Sequence, residues 1–148
     1  MQLTLYTDYS LRVLLYLGLH PTASATISEI AKNYGISRNH LVKVVHNLAT
    51  LGYITTTRGR GGGMTLARDA KLINIGAVVR HTEVNFTLVE CFDRRHNTCP
   101  ISPLCALKGA LYQAQNSFMA VLDKYTLDDV LDNRTGLLAL LGVPVVVL

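Results

Sequence analysis

The sequence lacks an apolar run long enough to cross a membrane. Residues 11–17 are mostly apolar but include Arg12, and no basic stretch precedes them as a secretory signal requires. The apolar run 143–148 is also far too short. Charge is scarce as well: 16% of residues are charged against 49% hydrophobic, which excludes disorder and fits a packed globular chain. Neither a GxxxxGK[ST] nor a GxGxxG phosphate-binding pattern is present. No acid pair or nucleophile–base pair has a spacing that suggests catalysis, so an enzyme is not expected. Without an export signal the expected compartment is the cytoplasm, where Asn85-Phe86-Thr87 and Asn133-Arg134-Thr135 are not glycosylated. In that reducing setting the three cysteines, an odd number, do not form a disulfide framework.

What is present is uneven in charge. Residues 1–80 hold nine Lys and Arg against three acids, a net of +6, and the remainder is net −2. A polyanion is therefore expected at the N-terminal half, nucleic acid before a membrane surface. The length of 148 residues suits a small domain with an appended dimerisation arm.

The periodicity predicts a mainly α fold with one β-hairpin. A first helix is expected from Thr7 or Asp8 to about His20, ended by Pro21. Thr26 and Glu29 match a capping box that opens a short helix, broken at Gly35. Ser37 caps the next helix, with Leu41, Val44, Val45 and Leu48 on one face. A hairpin follows, with strands over 53–57 and 64–66 and the tip Arg58-Gly59-Arg60-Gly61-Gly62-Gly63. This is a winged helix-turn-helix, within a DNA-binding domain over 1–80. Its second helix brings Ser37, Arg38, Asn39, His40 and Lys43 to the major groove: Arg38 to guanine, Asn39 to adenine, Lys43 to phosphate. Arg58, Arg60 and Gly61 of the tip are expected at phosphates or a narrow minor groove.

A further helix is predicted over 75–81, and residues 82–103 read as irregular. Leu104, Leu107, Leu111, Ala114, Phe118, Val121 and Tyr125 then repeat at alternating steps of three and four, a coiled-coil seam. A long helix over 105–132, with a last short helix begun by Thr126 and Asp129, pairs there with a second copy. The stretch 133–148 reads as a tail without a motif. Cys91, Cys99 and Cys105 lie in the loop 81–104 and at its end. Their C-x7-C-x5-C spacing is neither a zinc finger nor a ferredoxin run. Three thiols on a loop suit a metal or cluster missing one protein ligand, with incidental buried cysteines as the plain alternative.

Several segments together resemble the bacterial winged-helix iron–sulfur repressors, and their nitric-oxide-sensing branch in particular. These are residues 3–12, Ile36-Ser37-Arg38-Asn39-His40-Leu41-Val42-Lys43, Leu51-Gly52-Tyr53, the glycine-rich tip, the three cysteines, and residues 122–129. The resemblance implies a homodimeric repressor that binds an operator in double-stranded DNA and responds to nitric oxide. It also implies an iron–sulfur cluster, [4Fe-4S] rather than [2Fe-2S], on Cys91, Cys99 and Cys105. The implied fourth ligand is Asp8 from the other subunit, with His96 as a competitor. Another branch uses a histidine three residues after the last cysteine, where this chain has Lys108. Two further readings are a winged-helix regulator with a thiol switch or zinc site, and an iron–sulfur electron carrier.

Overall fold

The computed structural model describes residues 2–59 and 61–142, so the expectations for Arg60 and for 143–148 lie outside the described residues. Helix α1 (Leu5–Leu19) begins earlier than the expected Thr7 or Asp8. Thr4 is its cap, accepting from the Thr7 amide at 3.3 Å. The cap is reinforced from 79 positions away, where Glu83 accepts from the Thr4 amide at 3.1 Å. The Thr7 hydroxyl also donates to Glu83, at 2.6 Å. Local sequence carries no trace of that second partner.

The helix-turn-helix forms as its signals predict. Thr26 and Glu29 make both bonds of the capping box and start α2 (Ile27–Tyr34). Gly35 takes the left-handed conformation, φ 64°, that the turn into α3 (Arg38–Thr50) demands. Ser37 stands at the cap of α3 but makes no side-chain capping bond. The wing is β1 (Ile54–Thr57) paired antiparallel with β2 (Gly63–Leu66), in register Ile54 to Leu66 and Thr57 to Gly63. Ala25 and Met64 exchange backbone bonds of 3.0 and 2.8 Å, which seats the hairpin beside the start of α2.

One core gathers these pieces. Val13, Leu14 and Leu17 of α1 are buried with Ile30, Leu41, Val44 and Leu48 of the helix pair, Ile54 and Met64 of the wing, and Val78 of α4 (Ile75–Thr82). Of the expected irregular stretch 82–103, residue 82 still belongs to α4 and the rest is irregular apart from 3-10 turns at Glu90–Phe92 and Ser102–Leu104. Helix α5 (Ala106–Leu122) follows. Met119 is the only buried side chain of α5 among the described residues. Along the seam Leu104 is 95% exposed, Leu107 65% and Val121 50%. The stripe is thus not packed away inside its own chain.

Two C-terminal expectations need correction. Thr126 and Asp129 do exchange capping bonds, but they open a single 3-10 turn, Asp129–Leu131. Beyond it the expected tail forms a helix, α6 (Arg134–Leu140). Asn133 caps it by accepting from the Gly136 amide at 3.2 Å, and Arg134 donates to the Gly18 carbonyl at 2.6 Å. Leu137, Leu138 and Leu141 then pack on the core. A helix of seven residues is too short for its periodicity to be read; contacts with α1 sustain it.

Arg80 and Asp123 clamp the end of α4 to the end of α5 with two bonds, 2.5 and 2.7 Å. The paired guanidinium holds the Asp123 carboxyl below its ordinary pKa. A depressed carboxyl stabilises the fold above the ordinary carboxylate range and loses that contribution as pH falls through the folded-state value. Asp123→Asn is therefore expected to lower the thermal midpoint by about one to three degrees at pH 7. Melting curves of the two proteins should converge in acid, below the folded-state pKa.

Candidate nucleic-acid interface and cysteine segment

Helix α3 presents two opposed faces. Leu41, Val44, Val45 and Leu48 are buried, while Ser37, Arg38, Asn39, His40 and Lys43 are all exposed. The five residues expected at base edges and phosphates thus share one unobstructed end of the helix. Its position is held from behind by α1. The Tyr9 ring stacks on His40 with centroids 6.1 Å apart, and the Tyr6 hydroxyl donates to the Lys43 carbonyl at 3.4 Å.

The wing tip stands beside this face. Arg58 is exposed, and Gly59 and Gly61 have φ of 104° and 77°, conformations that side chains resist. At Gly62 a Cβ would collide with the Thr57 carbonyl oxygen. An open concavity of about 420 Å³ runs between the start of α2, Arg38 and the tip, lined by Ser28, Thr57, Gly59 and Gly62. Small residues there leave room for a phosphate backbone beside an arginine. Sequence reasoning missed Arg68, which ties the wing to α3. It donates to the Gly52 carbonyl at 2.7 and 3.1 Å and lies over the Tyr53 ring at 4.9 Å.

The cysteine segment is braced by its own polar residues. Glu90 accepts from the Thr98 amide and hydroxyl, bonds that lower its pKa. Asp93 accepts from the Arg95 amide at 2.9 Å and from His96 Nδ1 at 2.6 Å, raising the His96 pKa above that of a free imidazole. The Cys99 amide donates to Asn97 at 3.1 Å, and Phe92 stacks on Tyr112 of α5 at 4.2 Å. Cys91, Cys99 and Cys105 are free thiols, each half-buried. Asp8 lies on α1, paired with Arg12 at 2.8 Å. Among the described residues of one chain, no three His, Cys, Asp or Glu side chains converge as a metal site. The donor chemistry nevertheless suits an iron–sulfur group: three soft thiols, uncommitted to disulfides, within fifteen residues. Glu83 was also missed. It sits where α4 hands over to this segment and grips the start of α1, so the segment and α1 are joined directly.

This arrangement of helix pair, wing and cysteine segment matches a known family along most of its length. The model for Rrf2, an iron-dependent transcriptional regulator, covers residues 3–133. The chain belongs to the Rrf2 family. The HTH-type transcriptional regulator NsrR of Bacillus subtilis is 53% identical over 142 residues, spanning 95% of this chain and 97% of that one. The NsrR regulator of Geobacillus kaustophilus is 51% identical over 142 residues, spanning 95% and 97%. Among solved structures, T. potens IscR superposes with a TM-score of 0.72 at 22% identity, over 90% of this chain and 88% of that one. CymR, the global cysteine regulator of B. subtilis, gives 0.72 at 21%, over 88% and 95%. The last two establish the winged-helix fold. With its Rrf2 relatives this chain is a transcriptional regulator and not an enzyme. Among the described residues no helix is long and apolar enough to cross a membrane.

Arg38→Ala and Asn39→Ala are expected to relax base preference at defined operator positions, by about 1–3 kcal/mol each. Arg58→Ala, at a position expected to meet phosphate, should weaken all sequences alike and reduce the salt slope by about one. Binding isotherms on a panel of base-substituted duplexes at several salt concentrations separate the two behaviours. An Arg38→Ala protein with unchanged affinity and preference would take α3 out of the groove.

Proposed function

We propose that this chain is a homodimeric repressor whose operator affinity depends on an iron–sulfur cluster and is lost on exposure to nitric oxide. The observation that carries the reading is the trio of free, half-buried thiols on one braced segment that grips the start of α1 through Glu83. The resemblance of the sequence to nitric-oxide-sensing repressors and the iron-dependent description of the family support it. Cys91, Cys99 and Cys105 would hold the cluster, [4Fe-4S] by that resemblance, with Asp8 of the partner subunit as the fourth donor. When bound, the cluster supplies irons that nitric oxide can ligate in place of the protein's donors.

The chain's own residues carry the consequence. Segment 83–104 is tied to the N-terminus of α1 through Glu83, and that end of α1 touches α3 through Tyr6 and Tyr9. A segment whose thiols were displaced from the cluster would therefore no longer hold in place the element that backs the recognition helix. In a dimer the two recognition helices must match half-sites about 34–36 Å apart, so a small tilt of each costs affinity. The exposed seam of α5 supports the dimer, because water gains nothing from a row of leucines that a second copy could cover.

Anaerobic purification followed by iron and sulfide assay tests the cluster, and operator binding before and after nitric oxide tests the response. A brown protein that releases DNA on treatment is expected; a colourless protein that binds DNA and contains zinc or no metal would sink the reading. Cys91→Ser, Cys99→Ser and Cys105→Ser should each lose the chromophore. Asp8→Ala should keep it with an altered spectrum, since solvent or an added thiol can replace a carboxylate. His96→Ala should leave the spectrum unchanged.

The dimer has its own measurement. Leu111→Lys or Phe118→Asp sets an uncompensated charge in the seam and should yield monomers in sedimentation. Two intact dimers would remove α5 from the interface.

A further inference from the structure

Helix α3 keeps one large apolar side chain out of the core. Leu41, Val44, Val45 and Leu48 are buried, yet Val42 is 47% exposed. A lone exposed valine is ordinary on a protein surface. This one is singled out by its neighbours. At about 100° per residue, Val42 comes round about 40° past Arg38 and about 60° short of Asn39. His46 follows about 40° beyond it, one turn further along. Val42 therefore lies within the arc that carries the polar residues aimed at base edges, and outside the core and the side chains packed on it. A solvated helix face would favour a flexible polar residue there, because a β-branched side chain loses rotamer freedom in a helix.

We propose that Val42 reads a thymine, packing its isopropyl group on the 5-methyl group in the major groove. The proposal rests on α3 being the helix that enters the groove. Its chemistry is one of exclusion as much as attraction. In the major groove guanine shows two acceptors, adenine an acceptor and a donor, and cytosine a donor; thymine alone adds a methyl group. Valine can neither donate nor accept. Against guanine, adenine or cytosine it would strip water from a polar edge and return no hydrogen bond, whereas against thymine it buries apolar surface on apolar surface. With Arg38 suited to guanine and Asn39 to adenine on either side, Val42 adds a T to each half-site at a position those two residues leave unread.

The test removes the 5-methyl group of the base and the two terminal methyl groups of the valine in turn. The full-length protein, purified anaerobically, is used to select tight-binding duplexes from a random pool. Every thymine of the selected duplex is then replaced singly by deoxyuridine, which differs from thymine only in lacking the 5-methyl group. For the wild type, at one thymine in each half-site the replacement should weaken binding about fourfold, the worth of one buried methyl. The Val42→Ala protein, too short to reach, should bind the thymine and uracil duplexes equally. Val42 is not a core residue, so Val42→Ala should melt with the wild type, and its circular dichroism checks that. A second variant, Val42→Gln, should shift the preferred base at that position away from thymine in a repeated selection.

A wild type indifferent to every uracil would overturn the contact. So would a Val42→Ala protein that still loses fourfold at the same position. A selection that enriched no sequence would fail differently, by removing α3 as the reading helix. The release of DNA on nitric oxide treatment is measured separately, so a failure there leaves this result standing.

Discussion

The structure depends on the burial of α1. Val13 and Leu14 are wholly enclosed and Leu17 nearly so, and the helix pair, the wing, α4 and the C-terminal elements all pack against this one helix. Full burial of each such side chain is worth about 1.5–3 kcal/mol. Moving α1 therefore means moving everything that touches it. For a regulator this is an economical layout. The surface that meets DNA and the segment that bears the thiols do not need to touch each other if both touch α1.

The two ends of that helix are used differently. Its C-terminal half is core, sealed by Leu127 and Leu131 lying over Gly18 and by Arg134 on the Gly18 carbonyl. Its N-terminal turn is polar and held by one carboxylate, Glu83, from the head of the cysteine segment. Hydrogen bonds to a single ionised group can be exchanged for water at modest cost, while a packed leucine layer cannot. The molecule thus has a rigid end and a yielding end on one helix. The yielding end carries Asp8 and, through Tyr6 and Tyr9, backs α3.

The cysteine segment and α5 both look outward for completion. Polar bonds within the segment give it shape, yet among the described residues of one chain no three metal-binding side chains come together. Helix α5 buries Met119 and leaves most of its apolar stripe uncovered. Both features fit the proposed homodimer.

The helix-turn-helix, the wing and the seam were determined by local sequence, because their causes are local. A capping box at Thr26 and Glu29, a glycine at 35 that can turn left-handed, and a glycine-rich tip between alternating strands act within a few residues of themselves. The exposure of Ser37, Arg38, Asn39, His40 and Lys43 followed from the same periodicity that buried Leu41 and Val44. Only the tertiary structure decided the rest. The early start of α1 needed Glu83, and the helix in the expected tail needed a carbonyl 116 positions away for Arg134. The anchoring of the wing by Arg68 and the isolation of Val42 among polar neighbours likewise became visible only with the chain folded. A hydrogen bond across such separations leaves no period in the sequence, since Glu83, Arg134 and Arg68 each read alone as an ordinary surface charge.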